Sequence, residues 1–200
     1  EQALFNQELL IVLDDLAFSV NENQLPTIDK LYQFAEQQFA KQKLFTQPEI
    51  LNWLADLQHA LNETTLVGKT NGLTDIIRTV NRELHSGKDS DFVIPQTSNG
   101  VAQTLLQYQS SHRPQDLWHF VSQDYQQSLV WLQMTSGDNQ HTTAVVNWVN
   151  DYISKHPAPV EVEMNWAGKS YLNIVWQDAM VSGMLNSLLS SFVIVFLMMV

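Results

Sequence analysis

The spacing of apolar residues changes several times along this chain, and each change of period marks an element. Residues 8–13 (ELLIVL) form a short apolar run that predicts a strand. Over 27–41, Ile28, Leu31, Tyr32, Phe34, Ala35 and Phe39 recur at helical spacing and share one face. A second helix is expected at once. Thr46 and Glu49 have the spacing of a capping box, Pro48 lies in the first turn, and Ile50, Leu51, Trp53, Leu54, Leu57 and Leu61 form the buried stripe. Residues 64–67 read as a strand stopped by Gly68 and the turn-prone pair Asn71-Gly72. Three helical candidates follow: 73–84, ending before Gly87; 101–108, after the cap signals Ser98 and Asn99; and a short one at 114–121. Residues 128–134 predict a strand, and 139–154 predict a helix with Val145, Trp148, Val149, Tyr152 and Ile153 on one side. In 160–164, Val160, Val162 and Met164 alternate with Glu161 and Glu163, the period-2 pattern of a half-exposed strand.

In order, these elements are strand, helix, strand, a helical insert over about 72–121, then strand, helix, strand. That order predicts an α+β domain of split βαββαβ (ferredoxin-like) type, an antiparallel sheet covered by helices on one face. The last strand leads into a different kind of segment. Beyond Asp178 no residue is charged, and 187–200 read SLLSSFVIVFLMMV. A helix needs about 20 such residues to cross the ~30 Å hydrocarbon core of a bilayer, where no water solvates the backbone. A transmembrane helix is therefore expected from about Leu172 to Val200, its first turns outside the bilayer. The run has no closing Lys/Arg flank, so the chain is expected to be a fragment cut within that helix. The expected organisation is an extramembrane domain over 1–170 and a membrane helix over 171–200. Gly183 and the small residues Ser182, Ser187, Ser190 and Ser191 permit close helix packing and mark the side expected to face other helices.

Composition narrows the function mainly by exclusion. The net charge is −11 and the ten Lys/Arg are scattered, which leaves no basic stripe for phosphate backbones, so nucleic acid is not an expected partner. With no cysteine there are neither disulfides nor thiolate-held metals. Residues 173–184 carry only the acidic Asp178, and the positive-inside bias then places the domain on the outer face, with Asp178 read as interfacial. The histidines His59, His85, His112, His119, His141 and His156 show no HExxH pattern and no helical i,i+4 pair, so no metal site is expected; His112 and His119 flank a short helix as exposed residues. Gly68-Lys69-Thr70 matches the tail of a phosphate loop, but the leading glycine would fall at Glu63, so a turn is expected instead. Asp14-Asp15 and Glu161/Glu163 have no nucleophile or oxyanion donor nearby and read as solvated faces. Asn62-Glu63-Thr64 is a glycosylation acceptor pattern, meaningful only in a eukaryotic secretory setting. Trp53, Trp118, Trp131 and Trp148 are expected in the core, Trp166 and Trp176 in an interfacial belt. No catalytic, cofactor-binding or metal residue is assigned, and the chain is not expected to be an enzyme.

Several segments resemble a known family. From Gly68 the chain reads GKTNGLTDIIRTVNRELHSG, then a stretch bounded by Pro95, then VAQTLLQYQSS with Pro114, Asp116 and Leu117, then VSQDYQQSLVWLQM. This resembles the porter-domain pattern of the resistance-nodulation-division (RND) superfamily of exporters, in the branch of the mycobacterial-membrane-protein-large and Patched-like proteins. The similar positions are Leu73, Asp75, Val80, Asn81, Leu84, Leu105, Leu106, Tyr108, Leu117, Val121, Asp124 and Tyr125. NWAGKSYL followed by MVSGMLNSLLSSFVIVFL resembles the way those proteins leave the porter domain for the next span. The likeness covers about 48–200. Two departures stand against it: 14–45 is long for the link between a first strand and its helix, and Gln126/Gln127 replace a cation often found after the tyrosine.

The resemblance implies a proton-driven inner-membrane transporter of hydrophobic or amphiphilic compounds or lipids, with this domain in the periplasm. It implies as partners the lipid bilayer, the remaining transmembrane bundle and a second porter domain of the same protein. Proton-relay carboxylates would lie in other helices, since coupling to the membrane potential belongs within the bilayer. The competing expectation is a membrane-tethered extracytoplasmic binding or scaffold module with a single C-terminal span.

Overall fold

The computed structural model describes residues 43–199 and four isolated earlier positions, 12, 28, 30 and 31. The strand expected at 8–13 and the helix expected at 27–41 therefore lie outside the described residues. The chain divides into two compact units: one combines the described residues up to His59 with Thr70–Trp131, the other combines Ala60–Lys69 with Leu132–Val200. Among the described residues the protein is α+β, mostly helical, with one two-stranded sheet and a long C-terminal helix.

Helix α1 (Pro48–Asn62) follows a 3-10 turn at Leu44–Thr46. Its stripe is as patterned: Ile50, Leu51, Leu54, Leu57 and Leu61 are buried and Trp53 is half-buried. Thr46 does not cap it, because the Thr46 hydroxyl donates to Lys43 O at 2.8 Å inside the 3-10 turn. Strand β1 (Val67–Asn71) leads into α2 (Leu73–Leu84). The α2 start is built by Asp75, whose carboxylate accepts the Gly72 N–H at 2.8 Å. The helix ends where the His85 and Gly87 N–H groups both bond Arg82 O. A 3-10 turn at Asp89–Asp91 precedes α3 (Ser98–Gln109), and another at Pro114–His119 follows it.

The main core of the first unit is one cluster of Leu51, Leu73, Ile77, Ile94, Val101, Leu105, Leu117, Val121 and Tyr125. Seven of these nine lie in 72–121, so the segment expected as an insert supplies most of this unit's core. Amphipathic α2 and α3 bury their apolar faces against each other, which takes that surface out of water. A short hairpin closes the cluster. Val121 and Ser128 form an antiparallel bridge, and between them Tyr125 adopts a left-handed φ of 57°, unusual for a residue with a Cβ. Tyr125 is held there by its buried ring, by Phe45 N–H donating to its carbonyl at 3.0 Å, and by Gln109 Nε2 donating to its hydroxyl at 2.7 Å.

In the second unit, β2 (Trp131–Met134) pairs with β1. Thr135 N–H donates to Leu66 O at 3.2 Å and Gly68 lies beside Gln133, so the register runs antiparallel. Helix α4 (Asn139–Lys155) is capped by Asp138, whose carboxylate accepts the His141 N–H at 2.6 Å, and it buries Thr142, Val145 and Val149. Residues 156–168 are irregular, and α5 (Lys169–Met199) is one unbroken helix of 31 residues.

Several local expectations are corrected. The expected 64–67 strand begins only at Val67 and continues through Gly68, because 63–66 form a turn in which the Thr64 hydroxyl donates to Leu61 O at 2.7 Å. Gly68-Lys69-Thr70 is therefore strand rather than turn. Thr97, not Ser98 or Asn99, caps α3 by accepting the Gly100 N–H at 3.1 Å. The 114–121 helix is a 3-10 segment ending at His119, and the 128–134 strand shortens to Trp131–Met134. Residues 160–164 alternate in sequence but form no strand: they join neither β1 nor β2, and Val160 and Met164 are exposed. Alternation makes a strand only where a neighbouring edge takes up its N–H and C=O groups.

Candidate functional site

Helix α5 departs most from what water permits. None of its described side chains is buried, and its exposed large residues include Leu172, Trp176, Leu189, Phe192, Phe196 and Leu197. A soluble surface helix hides one apolar stripe and shows a polar one. This helix shows apolar groups on every side. From Ala179 to Met199 no residue is charged, a span of about 31 Å at 1.5 Å per residue, close to the thickness of a hydrocarbon core. Among the described residues it is the one helix long and apolar enough to cross a membrane. Its hydroxyls suit such a setting: Ser190 and Ser191 both donate to Ser187 O at 2.8 Å, which satisfies them within the helix.

The entry to α5 is aromatic. Trp166 and Tyr171 lie with ring centroids 6.2 Å apart, and Trp166 Nε1 is buried with no hydrogen-bond partner. Between them Gly168 takes φ +113°, a conformation that strains any side-chain-bearing residue, and its carbonyl accepts the Leu172 N–H at 3.0 Å to start the helix. Helices α4 and α5 pack together, and Asn139 Nδ2 donates to Gln177 Oε1. Trp176, with 64% of its surface exposed, matches the interfacial expectation in exposure, whereas Trp166 is half-buried.

The other sequence-level candidates disperse. His59, His85, His112, His119 and His156 are exposed, and His141 is half-buried with Nε2 2.8 Å from Leu66 O and 3.2 Å from Thr135 Oγ1. Among the described residues no group of three or more His, Asp or Glu is gathered as for a metal ion. Glu161 and Glu163 are exposed, and Glu163 accepts from Asn165 Nδ2 at 3.0 Å; Asp14-Asp15 lie outside the described residues. Asn62 and Glu63 are exposed at the end of α1. Trp118 and Trp131, expected in the core, are exposed: Trp118 meets Tyr125 edge-on at 6.1 Å, and Trp131 Nε1 donates to His119 O at 3.4 Å. Trp148 is half-buried and stacks on Tyr152.

The positions named for the family resemblance separate by burial. Leu73, Leu105, Leu117, Val121 and Tyr125 belong to the core cluster, Asp75 and Asn81 hold backbone and loop, and Leu84 and Leu106 are exposed. Asn81 Nδ2 donates to Asp91 O at 2.9 Å. Asp124 is held below the usual carboxylate range chiefly by the Ser122 hydroxyl, then by the Gln126 N–H. Burial raises the Tyr125 and Tyr108 hydroxyls, and the nearby Asp116 adds to the rise at Tyr108.

Sequence reasoning missed a polar knot at the α1–α2 junction. Gln58 is buried; its Nε2 donates to Asp75 Oδ2 at 2.9 Å and to Thr70 Oγ1 at 3.4 Å, while its Oε1 accepts from the Thr74 hydroxyl. A Cβ on Gly72 would come within 3.2 Å of this carboxamide, so the close approach suits glycine. The available signal was a glutamine on the buried face of an otherwise leucine-rich helix.

Among the described residues, the fold and the helix together define a mostly helical α+β protein in which Lys169–Met199 is the one helix of membrane length. No family model, curated protein or solved structure matches the chain.

Proposed function

We propose that this chain is the extracytoplasmic porter-type part, with the start of the following span, of a proton-driven RND-superfamily exporter of hydrophobic or amphiphilic compounds or lipids. The observation that carries the reading is α5: an uncharged, mostly apolar stretch of membrane length, continuous with a folded polar-surfaced domain. The order of the resembling segments and the burial of Leu73, Leu105, Leu117, Val121 and Tyr125 support it. In this reading β1 and β2 are the second and third strands of a split βαββαβ sheet, which are neighbours in that arrangement. The domain lies in the periplasm, the protein is multi-pass in the inner membrane, and energy enters through carboxylates in other helices. The domain's part is to give amphiphilic cargo a passage that shields its apolar surface from water, worth about 25 cal/mol per Å².

A second reading, a membrane-tethered extracytoplasmic module, is favoured by one observation: among the described residues the sheet has two strands and 160–164 stands apart from it. Inside-out vesicles containing the native protein separate the two. The porter reading expects uptake of a fluorescent amphiphile that stops when the proton gradient is collapsed. Uptake that ignores the gradient, or none from a correctly inserted protein, overturns it in favour of the tethered module.

A further inference from the structure

Asparagine is least durable when glycine follows it, because the bare glycine Cα lets the next backbone nitrogen reach the asparagine carboxamide. Two such pairs occur in the chain, Asn71-Gly72 and Asn99-Gly100. Both stand at helix starts, and in both the glycine N–H is taken by a capping side chain. Gly72 N–H donates to Asp75 Oδ2 at 2.8 Å, and Gly100 N–H donates to Thr97 Oγ1 at 3.1 Å. Packing retains both glycines: a Cβ at position 100 would come within 2.9 Å of Pro95 Cβ, and one at 72 within 3.2 Å of the Gln58 carboxamide. The residue that makes each asparagine labile is therefore kept in place.

The two caps act differently on the reaction. Cyclisation begins when a base removes the glycine N–H proton. The nitrogen then attacks the asparagine Cγ, the Cγ–Nδ2 bond breaks and ammonia leaves, giving a succinimide. Water opens the ring at either carbonyl, to aspartate or to isoaspartate, and no oxidant or reductant takes part. At Gly72 the nascent nitrogen anion would face a carboxylate at 2.8 Å, and like charges disfavour it. Gln58 Nε2 holds that carboxylate at 2.9 Å, and Gly72 is buried. At Gly100 the cap is a neutral hydroxyl, which can turn its own proton toward the anion. Asn99 is exposed where Asn71 is half-buried. Gly100 also lies in the first turn of α3, where the helix dipole favours negative charge and the end frays.

We infer that Asn99 is a site of spontaneous deamidation, and that the Asp75 carboxylate protects Asn71 from the same reaction. Aspartate at 99 adds a negative charge at the start of α3, which the helix dipole accepts. Isoaspartate inserts an extra backbone atom there. It puts out of register the bonds that start the helix, from Gly100 N–H to Thr97 Oγ1 and from Val101 N–H to Thr97 O at 3.0 Å. Val101 and Leu105 belong to the core cluster, so the isoaspartyl product loosens the end of a core helix. The inference is independent of the membrane reading of α5.

The whole chain in detergent micelles is incubated in mildly alkaline buffer and digested at acid pH. Both asparagines are followed by mass spectrometry, with isoaspartate separated by chromatography. In the folded chain Asn99 should convert about tenfold faster than Asn71, the size of a one-unit change in acidity at the glycine N–H. In urea, where neither cap exists, the two rates should converge. Thr97→Asp gives α3 the kind of cap that α2 has and should slow conversion at 99 about tenfold, whereas Thr97→Ala should speed it about fivefold by freeing the first turn. Circular dichroism checks that each variant is folded, and the native-chain comparison stands whether or not a variant folds. Asn71 keeping pace with Asn99 in the folded chain, Asn99 staying intact there while it converts in urea, or folded Thr97 variants that leave the rate at 99 unchanged overturn the inference.

Discussion

The α2–α3 core and α5 use the same aliphatic residues to opposite ends. Around Leu51, Leu73, Ile77 and Leu117 each side chain is closed off, and the helices that carry them turn charged and polar residues outward. Along α5, Leu188, Leu189, Val193 and Phe196 stand open, and no charged residue lies between Ala179 and Met199. Apolar content alone does not separate these regions. The arrangement does: a stripe repeating at 3.6 residues calls for a protein partner, whereas an all-round apolar surface of bilayer length calls for lipid.

The sharpest way to break this comparison is to make the same substitution in both regions. Leu51→Ala should lower stability by about 2–5 kcal/mol through lost transfer energy and an unfilled cavity, read from urea unfolding in micelles. Leu188→Ala should leave that transition unmoved. A reversed or equal response would mean that α5 is a core helix.

A charge tests the other side. Val195→Arg should disfavour insertion by about 2.5–3.5 kcal/mol, seen as loss of flotation with vesicles, while the circular dichroism of the folded domain stays the same. Unchanged flotation would remove lipid from the account of α5.

These contrasts also show what could be read in advance. Helix α2 matches its expected bounds because Gly72, Asp75 and the Gly87 stop act locally, within a turn of each end. Helix α4 and the α1 stripe were legible for the same reason, since each rests on its own periodicity. Long-range partners were not. Whether 160–164 pairs depends on an edge elsewhere, the fate of Gly68-Lys69-Thr70 depends on Gln133, and the exposure of Trp118 and Trp131 depends on what lies over them. The length and apolar character of α5 were legible from composition, whereas its contact with α4 through Gln177 and Asn139 was not.

A smaller effect concerns the polar exception within the core region. Gln58→Leu should destabilise by about 1–3 kcal/mol, because Thr74 and Asp75 lose buried partners. A neutral result in urea unfolding would show that water replaces the carboxamide.

The smallest effect is acid sensitivity. The Ser136 hydroxyl and then the His141 N–H hold Asp138 below the usual carboxylate range, and the Ser86 side chain and N–H do the same for Asp91. Carboxyls depressed in the folded state stabilise it fully above their unfolded value near ~3.9, and that contribution fades as pH falls through the lower folded values. Ser136→Ala should move the Asp138 titration midpoint upward by carbon-detected NMR and make α4 fray at a higher pH. An unmoved midpoint would show that the hydroxyl does not matter.

The length of α5 has a mechanical consequence. At 1.5 Å per residue its 31 residues extend about 46 Å, so in the proposed membrane reading roughly 15 Å would stand clear of a 30 Å core as a continuous rod. Gln177 lies on that protruding part and grips the first residue of α4. In the membrane reading, a twist or tilt imposed on the rest of the helix would reach α4 by two routes, this side-chain contact and the irregular segment 156–168.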